Sequence, residues 1–74
     1  MQNPVKGHLL RRFGKRLAEV RKQRGITQSE LAELVDMSVV GIAYIENGKR
    51  WASLRTLDKI AQALQVKRSD LLDF

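Results

Sequence analysis

Cysteine is absent from the 74 residues, which excludes a disulfide framework and a thiolate metal site. A single histidine, His8, cannot build a metal centre alone, and no clustered set of titratable groups accompanies it for general acid or base chemistry. The chain has no nucleophile paired with a base, no carboxylate dyad and no Gly-rich phosphate loop, so neither catalysis nor a cofactor is expected. No run approaches the roughly 18 apolar residues of a membrane span, and no signal-peptide pattern opens the chain. With cysteine missing as well, these absences predict a cytoplasmic protein without membrane contact. Strand patterns, internal repeats and low-complexity runs are also lacking.

What is present is basic. Lys and Arg number 14 against 8 Asp and Glu, a net charge of +6 that points to a polyanionic partner. Residues 1–24 hold eight bases against Glu19 alone (+7), and residues 25–46 hold four acids and no base (−4). Residues 47–74 hold six bases against Asp58, Asp70 and Asp73 (+3). Positive charge therefore flanks the middle of the chain without entering it. A chain of this size is one domain that buries about 60–65% of the surface its unfolded form exposes. Apolar residues at 43% and charged residues at 30% suit a folded globule.

Residues 1–7 contain Pro4 and Gly7 without apolar periodicity and read as a tail; residues 8–74 read as the folded domain. From about His8 to Arg24, the residues Leu10, Phe13, Leu17 and Val20 recur at helical spacing, with Gly25 as the stop. Residues 27–48 then lay out two short helices with a turn of a few residues between them. Thr27 and Glu30 form the Ser/Thr-x-x-Glu capping box, and Leu31 with Leu34 and Val35 supplies an apolar stripe. Asp36 and Met37 bring the chain round, Ser38 can cap the next helix to about Glu46, and Asn47-Gly48 stops it. This is the spacing by which a helix-turn-helix holds its second helix in a DNA major groove.

A fourth helix follows from Ser53 as cap and Leu54, Leu57, Ile60, Ala61 and Leu64 at steps of three and four, and Leu71, Leu72 and Phe74 mark a last turn or two. Five short helices would pack around Phe13, Leu17, Val20, Ile26, Leu31, Val35, Met37, Ile42, Ile45, Leu54, Leu57, Ile60, Leu64 and Leu71, an all-α fold. Arg21 lies beside the stripe of the first helix and Glu46 beside the inward face of the third, so the two can pair across the core margin. Trp51 reads as a packing residue over the following loop.

Several pieces stand in register over residues 13–72: Arg21-x-x-Arg24-Gly25-Ile26-Thr27-Gln28, Leu31-Ala32-Glu33, and Ile45-Glu46-Asn47-Gly48-Lys49-Arg50. They are followed by Ser53-Leu54, Leu57, Ile60-Ala61 and Ala63-Leu64. By these pieces the chain closely resembles the Cro/C1-type helix-turn-helix family, the xenobiotic-response-element-like domains that include phage repressors. The segment Ser53 to Ala61 also looks like that of the controller proteins of restriction-modification systems. The resemblance implies a compact five-helix, lambda-repressor-like domain and the Arg21–Glu46 pair. It further implies a homodimer on a palindromic double-stranded DNA operator, the third helix in the major groove and half-sites about 34 Å apart.

Carried over by position, Gln28 would meet a phosphate at the start of the second helix, and Lys49 and Arg50 would contact the backbone beyond the third. On the third helix, steps of about 100° turn Ile45, Glu46 and Ser38 to the side of Ile42, while Val40, Ala43, Tyr44 and Asn47 face away and Val39 stands at the flank. The candidate DNA-binding residues are therefore Gln28, Ser38, Val39, Val40, Ala43, Tyr44, Asn47, Lys49 and Arg50. Here the chain departs from the family, which commonly offers Arg, Gln, Ser or Thr, because base edges are read mainly by hydrogen-bonding side chains. Val39 and Val40 would pack either on thymine methyl groups or against neighbouring helices or another protein. A transcriptional regulator is the first expectation, with Leu72 and Phe74 in the dimer interface. The alternative is a protein-binding module, such as a toxin-neutralising antitoxin, with DNA binding secondary.

Overall fold

The computed structural model describes residues 4–74, with side chains from residue 7 onward, as five helices joined by short turns. They are α1 (Pro4–Gln23), α2 (Gln28–Leu34), α3 (Val39–Glu46), α4 (Leu54–Leu64) and α5 (Arg68–Leu71). Helix α1 starts at Pro4 rather than His8, so residues 4–7 of the anticipated tail are helical; residues 1–3 lie outside the described residues. Proline suits a first helical position because the N–H it lacks has no partner there anyway. Gly7 inside the helix costs about 1 kcal/mol relative to alanine, too little to end a helix of 20 residues.

The caps act as the sequence predicts. Thr27 Oγ1 accepts from the Glu30 N–H at 3.0 Å, and the Glu30 carboxylate accepts from the Thr27 N–H at 2.9 Å. The Thr27 backbone bond, followed by its side-chain bond, lowers the Glu30 pKa below the ordinary 4.5. A carboxyl depressed on folding stabilises the fold fully above that value and loses the contribution as pH falls through the lower, folded value. Ser38 Oγ accepts from the Gly41 N–H at 3.0 Å and Ser53 Oγ from the Thr56 N–H at 3.1 Å, which start α3 and α4.

The core takes Phe13, Leu17 and Val20 from α1, Leu31 and Ala32 from α2 with Val35 after it, and Ile42 and Ile45 from α3. Leu57, Ile60, Ala61 and Leu64 of α4 and Leu71 of α5 close it. Ile26 and Met37 are half-buried against this cluster. Leu34, expected in the apolar stripe of α2, and Leu54, expected in the core, are not in it. Leu34 is 61% exposed, because the buried side of α2 centres between Leu31, Ala32 and Val35 and leaves Leu34 about 100° away. Leu54 is 84% exposed: it has the right helical phase, but at the first turn of α4 nothing covers it. Trp51 stacks on Phe13 at 5.3 Å between ring centroids, so it packs on α1 rather than over its own loop. Phe74 also turns inward, 6.2 Å from the Phe13 ring, with the Arg12 guanidinium 5.5 Å over its face.

Two contacts set α3 against α1. At Gly14 a Cβ would lie 2.3 Å from the Ile45 carbonyl oxygen and 2.6 Å from that of Glu46, so the C-terminal end of α3 meets α1 where only glycine fits. Nearby, Arg21 grips Glu46 with two bonds, Nε to Oε2 at 2.6 Å and Nη2 to Oε1 at 3.0 Å, while its Nη1 donates to the Ile26 carbonyl at 2.9 Å. Both side chains are almost wholly buried. The Arg21 pKa is raised, chiefly by the hydrogen bond it donates to the Glu46 carboxylate and against the opposing effect of burial.

Gly14→Ala should gain about 1 kcal/mol of helix propensity yet lose more to overlap with the α3 carbonyls. A net loss of roughly 1–2 kcal/mol in urea unfolding is expected, and a gain would mean that α1 and α3 lie further apart. Arg21→Ala strands a buried carboxylate and should cost roughly 3–5 kcal/mol. The double variant Arg21→Met with Glu46→Leu leaves no charge stranded and should recover most of that stability; equal loss in both would refute the desolvation account.

Candidate nucleic-acid interface

Helices α2 and α3, joined through Val35 to Ser38, place the outer face of α3 in solvent. Val40 is 58% exposed, Tyr44 47% and Val39 42%, so these apolar side chains are not covered by neighbouring helices. Ala43 is half-buried on the same side and Asn47 is exposed at its end. Ile42 and Ile45 anchor the opposite side in the core with 1% exposure or less. Ser38 is exposed at the N-cap; its oxygen is engaged by Gly41, but its hydroxyl hydrogen remains for a ligand.

Gln28, the first residue of α2, donates from Nε2 to Glu46 Oε1 at 2.9 Å. Expected from the sequence as a phosphate contact, Gln28 is also held by the same carboxylate that Arg21 grips. One amide hydrogen and the amide oxygen of this half-buried side chain remain without a partner among the described residues. The N-terminus of α2 and the C-terminus of α3 are thereby tied to α1 through one carboxylate.

The α3 helix contains no basic residue, and its one acid, Glu46, is neutralised by Arg21. Positive charge begins just beyond it. Gly48, at φ +72°, turns the chain and puts Lys49 and Arg50 in solvent. A Cβ on Gly48 would lie 2.9 Å from the Arg11 Cα, so Arg11 of α1 stands against the same turn. Arg11 is not among the nine candidate residues expected from the sequence. The available signal was Gly14, a glycine inside a helix, with Arg11 three residues earlier on the same side. The nine candidate residues therefore spread over one apolar strip on α3, a fixed amide at the start of α2 and a basic exit turn. Among the described residues no group of His, Asp and Glu is arranged to hold a metal ion.

A family model described as helix-turn-helix matches residues 17–71. The chain is 38% identical over 61 residues to the HTH-type transcriptional repressor RghR of Bacillus subtilis, covering 81% of this chain and 45% of the repressor. It is also 38% identical over 63 residues to control protein C.BamHI of Bacillus amyloliquefaciens, covering 84% of this chain and 78% of that protein. The chain thus spans less than half of the repressor but most of the control protein. Among solved structures, the restriction-modification controller protein C.AhdI from Aeromonas hydrophila superposes with a TM-score of 0.80 at 35% identity, over 84% of this chain and 94% of that one. The clp gene regulator ClgR from C. glutamicum gives 0.84 at 29% identity, over 88% and 83%. These matches cover the helices whose geometry is given above, and the chain belongs to the helix-turn-helix family of DNA-binding transcriptional regulators.

Proposed function

We propose that this chain regulates transcription as a homodimer that binds a palindromic operator, each copy laying α3 in the major groove. The observation that carries this reading is the division of α3 into a core-anchored side and a bare side, Val39, Val40, Ala43, Tyr44 and Asn47, held at a fixed angle by the Arg21–Glu46 pair. A helix this well fixed presents its N-terminal half to base edges while flanking charges bind phosphates. Lys49, Arg50, Arg11 and the free amide hydrogen of Gln28 supply the phosphate contacts. Tyr44 and Asn47, through hydroxyl and amide, supply the hydrogen bonds to bases or backbone.

A two-fold dimer brings the same surface patch from each copy together. Phe74 is occupied inside the protomer, so the interface rests on Leu72, 49% exposed, and on other uncovered apolar residues of the C-terminal half, of which Leu54 is the barest. The exposed valines and Tyr44 also fit a protein partner docked on α3, as in an antitoxin. Salt dependence separates the two, because release of counterions is specific to a phosphate-bound mode.

Anisotropy titrations against DNA selected from a random pool should show specific binding with a steep salt slope. No preference over random DNA, even at low salt, would sink the regulator reading. Lys49→Ala should weaken binding to all duplexes alike and reduce the salt slope by about 1 per subunit, hence about 2 per dimer; an unchanged slope removes Lys49 from the interface. Sedimentation at tens of micromolar should show a dimer that Leu72→Asp shifts toward monomer, an effect counted twice across the axis. A monomeric parent protein would rule out a preformed dimer.

A further inference from the structure

The first turn of α3 holds two exposed β-branched side chains and no hydrogen-bonding side chain between Ser38 and Tyr44. Val39 pairs with Ala43 and Val40 with Tyr44 at i, i+4, so their apolar surfaces form two adjacent rows on the outer side. Behind them the helix cannot rotate. Gly41 is buried with the Met37 Cε 3.2 Å and the Ser38 Oγ 3.3 Å from where a Cβ would stand, and Ile42 is fully buried. Substitution of another rotamer also brings no donor, since valine has none.

In the major groove the pyrimidines differ in two ways: thymine shows an O4 acceptor and a C5-methyl group, and cytosine an N4 donor and no methyl. A valine can match neither O4 nor N4, so only the methyl group distinguishes the two bases for it. The C5-methyl of 5-methylcytosine occupies the same place as that of thymine. We infer that Val39 and Val40 recognise C5-methyl groups of pyrimidines as such, so that 5-methylcytosine substitutes for thymine at the positions they face. Operator occupancy then responds to cytosine C5 methylation of the DNA. The inference rests on the proposed seating of α3 in the major groove, and the flanking Lys49 and Arg50 supply the charge that brings this apolar strip onto a polyanion.

The test uses the intact chain and a duplex selected from a random pool. Each thymine of the half-site is replaced in turn by uracil, which removes only the methyl group. At one or two positions affinity should fall about fourfold per methyl, the fold-change corresponding to about 0.8 kcal/mol for one buried methyl-sized group. At those positions cytosine should bind more weakly than thymine, and 5-methylcytosine should regain at least half of the loss on a logarithmic scale. In Val39→Ala or Val40→Ala the thymine-to-uracil ratio should collapse toward unity at the position that residue faces. Both valines are exposed, and the base substitutions need no variant, so folding does not confound the result.

The inference is overturned if no thymine-to-uracil replacement weakens a specific complex, if cytosine and 5-methylcytosine bind equally, or if the uracil effect survives in both valine variants. Each of these leaves specific DNA binding standing. Loss of all sequence preference would instead remove the regulator reading and the methyl readout together.

Discussion

One buried carboxylate holds the reading helix in place. Glu46, at the C-terminal end of α3, accepts from Arg21 of α1 and from Gln28 of α2, while Arg21 also ties down the Ile26 carbonyl in the turn before α2. Helices of seven and eight residues are too short to be stable by themselves in water. Their angles are therefore set by what they touch. A buried ion pair is a poor source of net stability, because desolvating both charges offsets most of their attraction. Here it gives direction instead: a bidentate grip has one geometry, whereas apolar packing against Phe13 and Leu17 tolerates small rotations. The close approach at Gly14 complements it, since carbonyls pressed against a bare Cα leave α3 no room to slide.

The scaffold and the surface that uses it are chemically unlike. The interior is satisfied and conventional, with capped helices, an aromatic cluster of Phe13, Trp51 and Phe74, and, among the described residues, no buried side-chain polar atom left without a partner. The outer side of α3 is apolar and uncharged, and the positive charge sits beyond its end at Lys49, Arg50 and Arg11. Attraction and discrimination thus belong to different residues. Electrostatic attraction brings the strip to any duplex, while contacts of methyl size, each contributing less than a bidentate hydrogen bond, are left to discriminate.

Much of this was legible in the amino-acid order. The capping box at Thr27 and Glu30, the Ser38 and Ser53 caps, the stop at Gly48, the outward direction of Val40 and Tyr44 and the Arg21–Glu46 pair all follow from residue type and spacing. The departures have different causes. Leu34 belongs to a helix whose buried side centres elsewhere, whereas Leu54 has the helical phase of a core residue, but periodicity reports which way a side chain points, not whether another helix is there to cover it. Phe74 is an apolar residue whose partners, Phe13 and Arg12, lie some sixty positions away in the sequence, so spacing does not show that it packs inward. Pro4 and Gly7 resembled a tail, although proline at a first helical position is compatible with the long α1 that forms.

The sequence by itself determined the local structure: where helices begin and end, which face each one turns inward, and the absence of charge from the exposed face of α3. These depend on groups within about four residues of one another, so they survive without knowledge of the fold. Only the tertiary structure decided that Gln28 shares Glu46 with Arg21, that Arg11 stands at the exit turn, and that Leu34 and Leu54 remain bare. Those relations join residues such as 28 and 46 or 21 and 46, which are 18 and 25 positions apart. Packing of the helices, not periodicity along the chain, brings them within reach.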